Sequence, residues 1–542
     1  MSARPQLQVL EGGAAGPLEA PRERCEAMLA FLETKAQEAL REGRWMDHSD
    51  MERKLEEGGR ELMREMMQAW LNLMAQAEAQ GAVVDAEGEE RTRRRVHTRH
   101  LETIFGEVAV ERLGYGAEGK DSLHPLDAHL NLPEELYSFE VRRRVAEEAA
   151  RSSFEEARKT LARYTGADVP KRQMEELVQR AASDFDDFYE WRRQEGQAAP
   201  EPAAASLLVL SADATGVLMR EEDLRPATRE AARRARAERG GKGALGQAPK
   251  RHRTRMAVVA SVYTVAPYVR TPDDVLRALA EGERGPSKRP KPEHKRVLAS
   301  VEKEVWDVLE EAFHDALDRD VDRKLKWVCV VDGHEHQLAV IRKLAKAYGA
   351  KLTIVIDLYH VLQYVWKAGH ALAGVDPDET EETNDQRDRL RVRHWVLERI
   401  GRILEGDASQ VAAGMRRSAT NRKLSRKRRK PVDTCADYLL KYRPHLHYNT
   451  YLAAGMPIAS GVIEGACRHL VKDRLALTGA RWRLQGAEAV LRLRALHHSG
   501  DFEQYWRFHK AREHERNHRA SFAHGEIPPI TDPAIARLSL LD

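Results

Sequence analysis

Cysteine is scarce in this chain of 542 residues: there are four, Cys25, Cys329, Cys435 and Cys467, far apart and with no CxxC pair. That spacing argues against a zinc ribbon and a disulfide framework, and it fits a reducing cytoplasm. No window approaches the run of about 18 apolar residues that a membrane span requires, and no basic-then-apolar signal segment opens the chain. These absences predict a soluble, cytoplasmic protein with no membrane attachment. A large excess of charge of one sign is missing too. Lys and Arg number 89 against 86 for Asp and Glu, a net charge of +3, so any nucleic-acid footprint must be local. The length exceeds what one hydrophobic core usually supports, so about two to four domains are expected.

Apolar residues at three- and four-residue spacing, such as Met28, Leu29, Leu32 and later Leu62, Met66, Trp70 and Leu73, predict an amphipathic helical start. "RTRRRVHTRHLETIFGEVAVERLGY", residues 91–115, changes to alternation around "FGEVAVERL", the pattern of a half-buried hairpin. Its arginines are either phosphate contacts or a solvated basic edge. In "SFEEARKTLARYTGADVPKRQMEELVQRAA" two short helices flank the break "TGADVP". Gly166 suits a tight turn and Pro170 can open the second helix, so Lys171, Arg172 and Gln173 stand where a helix-turn-helix meets base edges. A plain αα-hairpin reads alike. "RRQEGQAAPEPAAA" is a Pro/Ala-rich linker at 192–205.

Three apolar runs of one design follow. "SLLVLSAD" ends at Asp213, "KWVCVVDG" carries Asp332, and "KLTIVIDLYH" carries Asp357. Each is continuous rather than alternating, as in strands covered on both faces, and each delivers a carboxylate where the strand ends. "RMAVVASVYTV" adds a strand, and "EHQLAVIRKLAKAYGA" supplies the crossover helix of a βαβ unit, so the domain is α/β with a mixed sheet. Open sheets of this kind place their sites at the strand ends, which brings Asp213 and Asp332 to one cavity. Two clustered carboxylates stay ionised together when a divalent cation lies between them, and oxygen-only ligation suits Mg²⁺ or Mn²⁺. A two-metal site of that kind stabilises both the entering and the leaving oxygen of a phosphodiester exchange.

Glu464 can supply a third carboxylate from a helix in "PIASGVIEGACRHLVKDRLALTGARW", residues 457–482. Regular helical spacing puts Glu464, Arg468 and Lys472 on one face and Ile463, Cys467, Leu470 and Val471 on the buried one, with Ser460 as N-cap. The cations then face DNA phosphates, and Gly461 and Gly465 admit a close neighbour. The plain alternative is a Glu464 to Arg468 surface pair. Trp482 is either a base-stacking ring or a core residue. The basic run "RRSATNRKLSRKRRK", residues 416–430, with Arg426, Lys427, Arg428 and Arg429, is either a phosphate-binding loop or a solvated one.

"SADATGV", "VVDGHEHQLAVIRKLAKAYGAKLTIVIDLYHVLQYVWKAGHAL" and the 457–482 block with the following "GAEAVLRLRAL" together resemble a bacterial insertion-sequence transposase of the ISKra type, distantly similar to mutator-type transposases. The resemblance runs from about residue 85 to 500 and implies an RNase H-like core with Asp213, Asp332 and Glu464 as catalytic metal ligands. It implies a helical insertion at 361–456. "DLYH" resembles the C/DxxH element of mutator-type enzymes, giving Asp357 and His360 a supporting role; the rival assignment makes Asp357 the second ligand, and His360 can also simply cap a core polar group. The cysteine-rich zinc element that many relatives carry near residue 115 is missing, so zinc is not expected.

The expected architecture is therefore multidomain α/β plus α, with an RNase H-like mixed-sheet core preceded by a mostly helical DNA-binding region. Its parts are 1–90 helical, 91–191 hairpin and helix-turn-helix-like, 192–205 linker, 206–360 and 457–500 the two parts of the core around the insertion at 361–456, and 501–542 a terminal helix and tail. The expected function is Mg²⁺- or Mn²⁺-dependent cleavage and strand transfer of double-stranded DNA, at element ends and target, by a homodimer or higher oligomer. A DNA-binding regulator without turnover and a nuclease without strand transfer are the alternatives.

Overall fold

The computed structural model describes residues 16–76, 78, 81–195, 206–238, 253–281, 288–374, 386–477 and 479–529. Most of the expected linker at 192–205, and Thr478 within the "TGARW" element, lie outside the described residues. The chain divides into two compact units, residues 1–188 with 502–542, and residues 189–501.

The first unit opens with two long helices, α1 (Glu19–Glu42) and α2 (His48–Gln76), joined by Gly43 in the left-handed conformation. A two-stranded ribbon, β1 (Val83–Val84) and β2 (Glu90–Arg91), precedes the expected hairpin, whose strands β3 (Arg93–Thr103) and β4 (Gly106–Ala117) pair antiparallel, with β5 (Lys120–Leu123) added to β4. Leu101, Val108 and Val110 pack under Leu71 of α2, which explains the alternation of the second strand. After α3 (Pro125–His129) come α4 (Phe139–Arg151), α5 (Phe154–Tyr164) and α6 (Lys171–Ala181), the last two flanking the break at 165–170. Gly166 is needed for a reason other than the tight turn expected of it: a Cβ there would lie 2.5 Å from the carbonyl of Phe105, because the Gly166 N–H donates to Ile104 O at 2.9 Å and the hairpin turn presses against it. Helix α7 (Phe185–Gln194) carries the chain across the division.

In the second unit five strands form one mixed sheet. Chain order is β6 (Leu207–Leu218), α8 (Pro226–Glu238), β7 (Thr254–Val265), α9 (Pro272–Glu281), β8 (Glu293–Ser300), α10 (Val305–Arg319), β9 (Lys326–Val331), α11 (Glu335–Ala347) and β10 (Leu352–Ile356). Spatial order is β10-β9-β6-β7-β8, with β6, β9 and β10 mutually parallel and β7 antiparallel to both of its neighbours. Strands β6, β7 and β9 are buried along most of their length, as their continuous apolar runs require. Phe313 of α10 meets Trp327 of β9 with ring centroids 6.1 Å apart and covers one face.

The described part of residues 358–453 is mostly helical, with short turns between α12 (Leu358–Ala373), α13 (Gln386–Leu404), α14 (Ala408–Asn421), α15 (Arg426–Tyr442) and α16 (Tyr448–Ala453). The basic run is not a loop. It forms the end of α14, a short turn and the start of α15. Then follow α17 (Gly461–Ala466), a π-helical stretch over Cys467–Lys472, α18 (Asp473–Leu475) and α19 (Leu484–Ser499), which packs on β8 through the buried Glu488 carboxylate, accepting from Ser300 Oγ at 3.0 Å and Val301 N at 2.9 Å. Helix α20 (Phe502–Asn517) belongs to the first unit. No helix among the described residues is long and apolar enough to cross a membrane.

Candidate active site at the strand ends

Ala212, Val331 and Ile356 are paired partners across β6, β9 and β10. Asp213, Asp332 and Asp357 are the next residue along each of these parallel strands, so three carboxylates share one register level at three adjacent strand ends. Asp213 and Asp332 are half-buried, whereas Asp357 is fully buried at 0% exposure.

Each carboxylate is held differently. Asp213 Oδ1 accepts from the Ala214 N–H at 2.7 Å, and its Oδ2 accepts from the Cys467 thiol at 3.3 Å. Burial, reinforced by the Asp213 charge, pushes that thiol well above its usual range, so it remains protonated and a donor. Asp332 accepts on Oδ1 from the His334 N–H at 2.8 Å and opens a turn in which Gly333 has φ +92°. Tyrosines of the helical segment grip this edge of the sheet. Tyr438 donates to Asp332 O at 2.8 Å, Tyr442 to Gly333 O, and Tyr448 to Ile356 O at 2.7 Å. A Cβ at Gly333 would lie 3.1 Å from the Tyr442 ring, tighter than ordinary contact, so glycine serves both the backbone conformation and the close approach. Sequence reasoning passed over these tyrosines, although Tyr438 and Tyr442 stand one helical turn apart in "CADYLLKYRPHLHYNTYL".

Glu464, exposed on α17, has its carboxyl pushed upward by burial of part of its surroundings and then by the charge of Asp357. His360 acts in the opposite direction and Asp213 adds to the rise, so Glu464, Asp357, His360 and Asp213 form one electrostatic neighbourhood. Asp332 does not figure among the groups that act on Glu464. Like charges gathered this way, on oxygen donors, fit a hard divalent cation in chemistry. Among the described residues, however, no group of three or more His, Cys, Asp or Glu side chains is drawn together so as to hold one.

The helix after Glu464 departs from the expected spacing. Ile463, Cys467, Leu470 and Val471 are buried as anticipated. The π-helical turn at Cys467–Lys472 adds a residue to the turn, so Glu464, Arg468 and Lys472 do not follow the regular phase that predicted one shared face. Arg494 stabilises the irregular turn by donating to Leu470 O at 2.7 Å and to His469 O. Arg468 lies 3.8 Å from Asp473, not against Glu464. Ser460 occupies the N-cap position without capping, because its hydroxyl goes to Asp357. Trp482 is a core residue, donating to Leu475 O at 3.0 Å with the Arg474 guanidinium over its ring.

Of the other expected contacts, Lys171, Arg172 and Gln173 are exposed in the first turn of α6; Arg172 pairs with Glu176 at 3.3 Å and Gln173 accepts from Tyr137. Arg91 of the β1–β2 ribbon pairs with Asp85, and Arg99 and Arg112 of the hairpin turn inward to Asp127. Arg428 donates to Ala371 O and Arg429 to Asp433, whereas Arg426 and Lys427 are exposed. No protein-family model and no curated protein matches this chain.

Proposed function

We propose that the protein is a DNA transposase of the Asp-Asp-Glu kind with an RNase H-like core, acting in the cytoplasm on double-stranded DNA as a homodimer or higher oligomer. The observation that carries this reading is the alignment of Asp213, Asp332 and Asp357 at one register level, with Glu464 on an adjoining helix within the electrostatic reach of two of them. The strand order and the single antiparallel strand, β7, support an RNase H-like core. The ISKra-type resemblance of the same residues points the same way.

Asp213, Asp332 and Glu464 would hold Mg²⁺ or Mn²⁺, which when bound polarises the attacking and leaving oxygens of an in-line phosphoryl transfer. The protein's own part is placement. The Tyr438 and Tyr442 hydroxyls fix the Asp332 turn, the Cys467 thiol orients Asp213, and Arg468, Lys472, Arg426 and Lys427 offer exposed cations to phosphate. Lys171 is exposed at the start of α6 and would approach base edges directly, whereas Arg172 and Gln173 would do so by exchanging their contacts with Glu176 and Tyr137.

The decisive assay uses labelled DNA carrying the sequences on either side of the coding region as candidate element ends, scored separately for retention, nicking and joining to a target plasmid. Asp213→Asn keeps size and hydrogen bonding but removes a ligand charge, so retention should persist while nicking and joining fall by orders of magnitude, each 1.36 kcal/mol being about tenfold in rate. Wild-type protein that binds without nicking is a regulator, and nicking without joining marks a nuclease. Full activity in Asp213→Asn removes the proposed site.

A further inference from the structure

The three strand-end aspartates are not equivalent, and Asp357 differs from the half-buried Asp213 and Asp332 in being fully buried with three donors on its two oxygens. Its Oδ1 accepts from the Tyr359 N–H at 2.7 Å, and its Oδ2 accepts from the Ser460 N–H at 2.7 Å and from the Ser460 hydroxyl. The carboxylate is fully buried and Ser460 is 4% exposed, so an ion could reach it only by displacing Ser460. Asp332, half-buried, has one oxygen bonded to a backbone N–H and Oδ2 with no donor among the described residues.

The partner of Asp357 is the residue that starts the Glu464 helix. Ser460 O accepts from Ile463 N at 2.9 Å and from Glu464 N at 3.1 Å, so the first turn of α17 hangs from the residue that Asp357 grips. A second bond runs alongside, from Leu358 N to Ile458 O at 2.9 Å, while Asp357 N donates to Val331 O at 2.9 Å. The path from the sheet to Glu464 is therefore continuous through Val331, Asp357 and Ser460. Helix α17 has only 6 residues before the π-helical stretch; Ile463 and Ala466 pack it from its middle and end, and its first turn, which opens on Gly461, is fixed through Ser460. A hydroxyl at the N-cap position ordinarily bonds a free N–H of its own helix; here it is diverted to the sheet.

We infer that Asp357 is a positioning residue, not a metal ligand: through Ser460 it anchors the helix that carries Glu464 to the end of β10. The inference rests on the proposed function for what Glu464 does, and on geometry alone for the anchor.

The test compares Asp357→Asn and Ser460→Ala in the full chain. Asparagine keeps an acceptor for Tyr359 but turns an N–H toward the Ser460 donors; alanine removes one donor and leaves the backbone bond. Amide hydrogen exchange over residues 458–466 should accelerate by tenfold or more in Asp357→Asn and by less in Ser460→Ala, with exchange in β6 and β7 unchanged. If Asp357→Asn fails to fold, the Ser460→Ala comparison still decides. With end DNA, both variants should need several-fold more Mg²⁺ for half-maximal nicking, yet approach the wild-type rate at saturation and retain DNA normally. Unchanged exchange in both variants overturns the anchor. Loss of nicking at every Mg²⁺ concentration in Asp357→Asn, with exchange over 458–466 as in wild type, makes Asp357 a ligand and also overturns it. Failure of the functional reading is seen separately, as normal nicking by Asp213→Asn and Glu464→Gln.

Discussion

Glycines at 461 and 465 flank Glu464, and each costs a helix about 1 kcal/mol relative to alanine. Nothing among the described residues requires them. A Cβ at Gly461 would meet no atom within 4 Å, and one at Gly465 would only reach His469 at 4.0 Å. Neither has a positive φ, so conformation does not demand glycine either. Bare backbone beside an acidic residue leaves room for a bulky neighbour from outside, which in the proposed function is the DNA backbone. Gly461→Ala and Gly465→Ala should therefore raise the unfolding free energy, by up to about 1 kcal/mol each, while weakening nicking of end DNA. Thermal unfolding and the nicking assay read the two effects on one sample. A variant that gains stability and keeps full nicking shows that the open face is not used.

At the start of α15, Arg426, Lys427, Arg428, Arg429 and Lys430 crowd the positive end of the helix dipole with no acidic residue in the first turn. Each cation there is unfavourable by about 0.3–1 kcal/mol, an arrangement that bound phosphate would relieve. Because Arg428 and Arg429 already bond within the protein, neutralising Arg426 and Lys427 should lower the salt slope of DNA binding, by about 0.9 for each phosphate left without its cation, for all sequences alike. An unchanged slope in filter binding across salt concentrations returns these residues to solvent. How elements could be read from the sequence follows from burial. Strands β6, β7 and β9 are buried along most of their length and appear as unbroken apolar runs. Strand β8 escaped notice because only the last four of its 8 residues are buried and its first half is "EHKR". The cationic start of α15 reads as a loop because exposed lysine and arginine carry no periodicity. The candidate acids were legible as strand-end carboxylates; the bonds that hold them were not. Asp357 and Ser460 are 103 positions apart, and a π-turn sustained by Arg494 has no signature in residue spacing.

Helix α20 completes the unit that α1 and α2 begin. Arg142 is fully buried against both Glu513 oxygens at 2.5 Å, His509 Nδ1 lies 2.6 Å from Asp184, and Arg516 pairs with the same aspartate at 2.5 Å. Burial alone would push the Asp184 carboxyl upward, but hydrogen bonds and charge from His509 and Arg516 overcome it and hold the group at about 2. A depressed carboxyl contributes stability above its unfolded value, near 3.9, and loses it as pH falls through about 2. Asp184→Asn should thus cost about 2 kcal/mol or more at neutral pH, with the gap to wild type closing between pH 4 and pH 2 in denaturant titrations. A gap independent of pH would separate the loss from the charge. The same closure orders events during synthesis. Roughly 300 residues separate α7 from α20, and at 5–20 residues per second the ribosome takes about 15–60 s to make them. Throughout that interval Arg142 waits without Glu513, so the N-terminal unit is finished last, after the strand-end carboxylates and the Glu464 helix have left the ribosome.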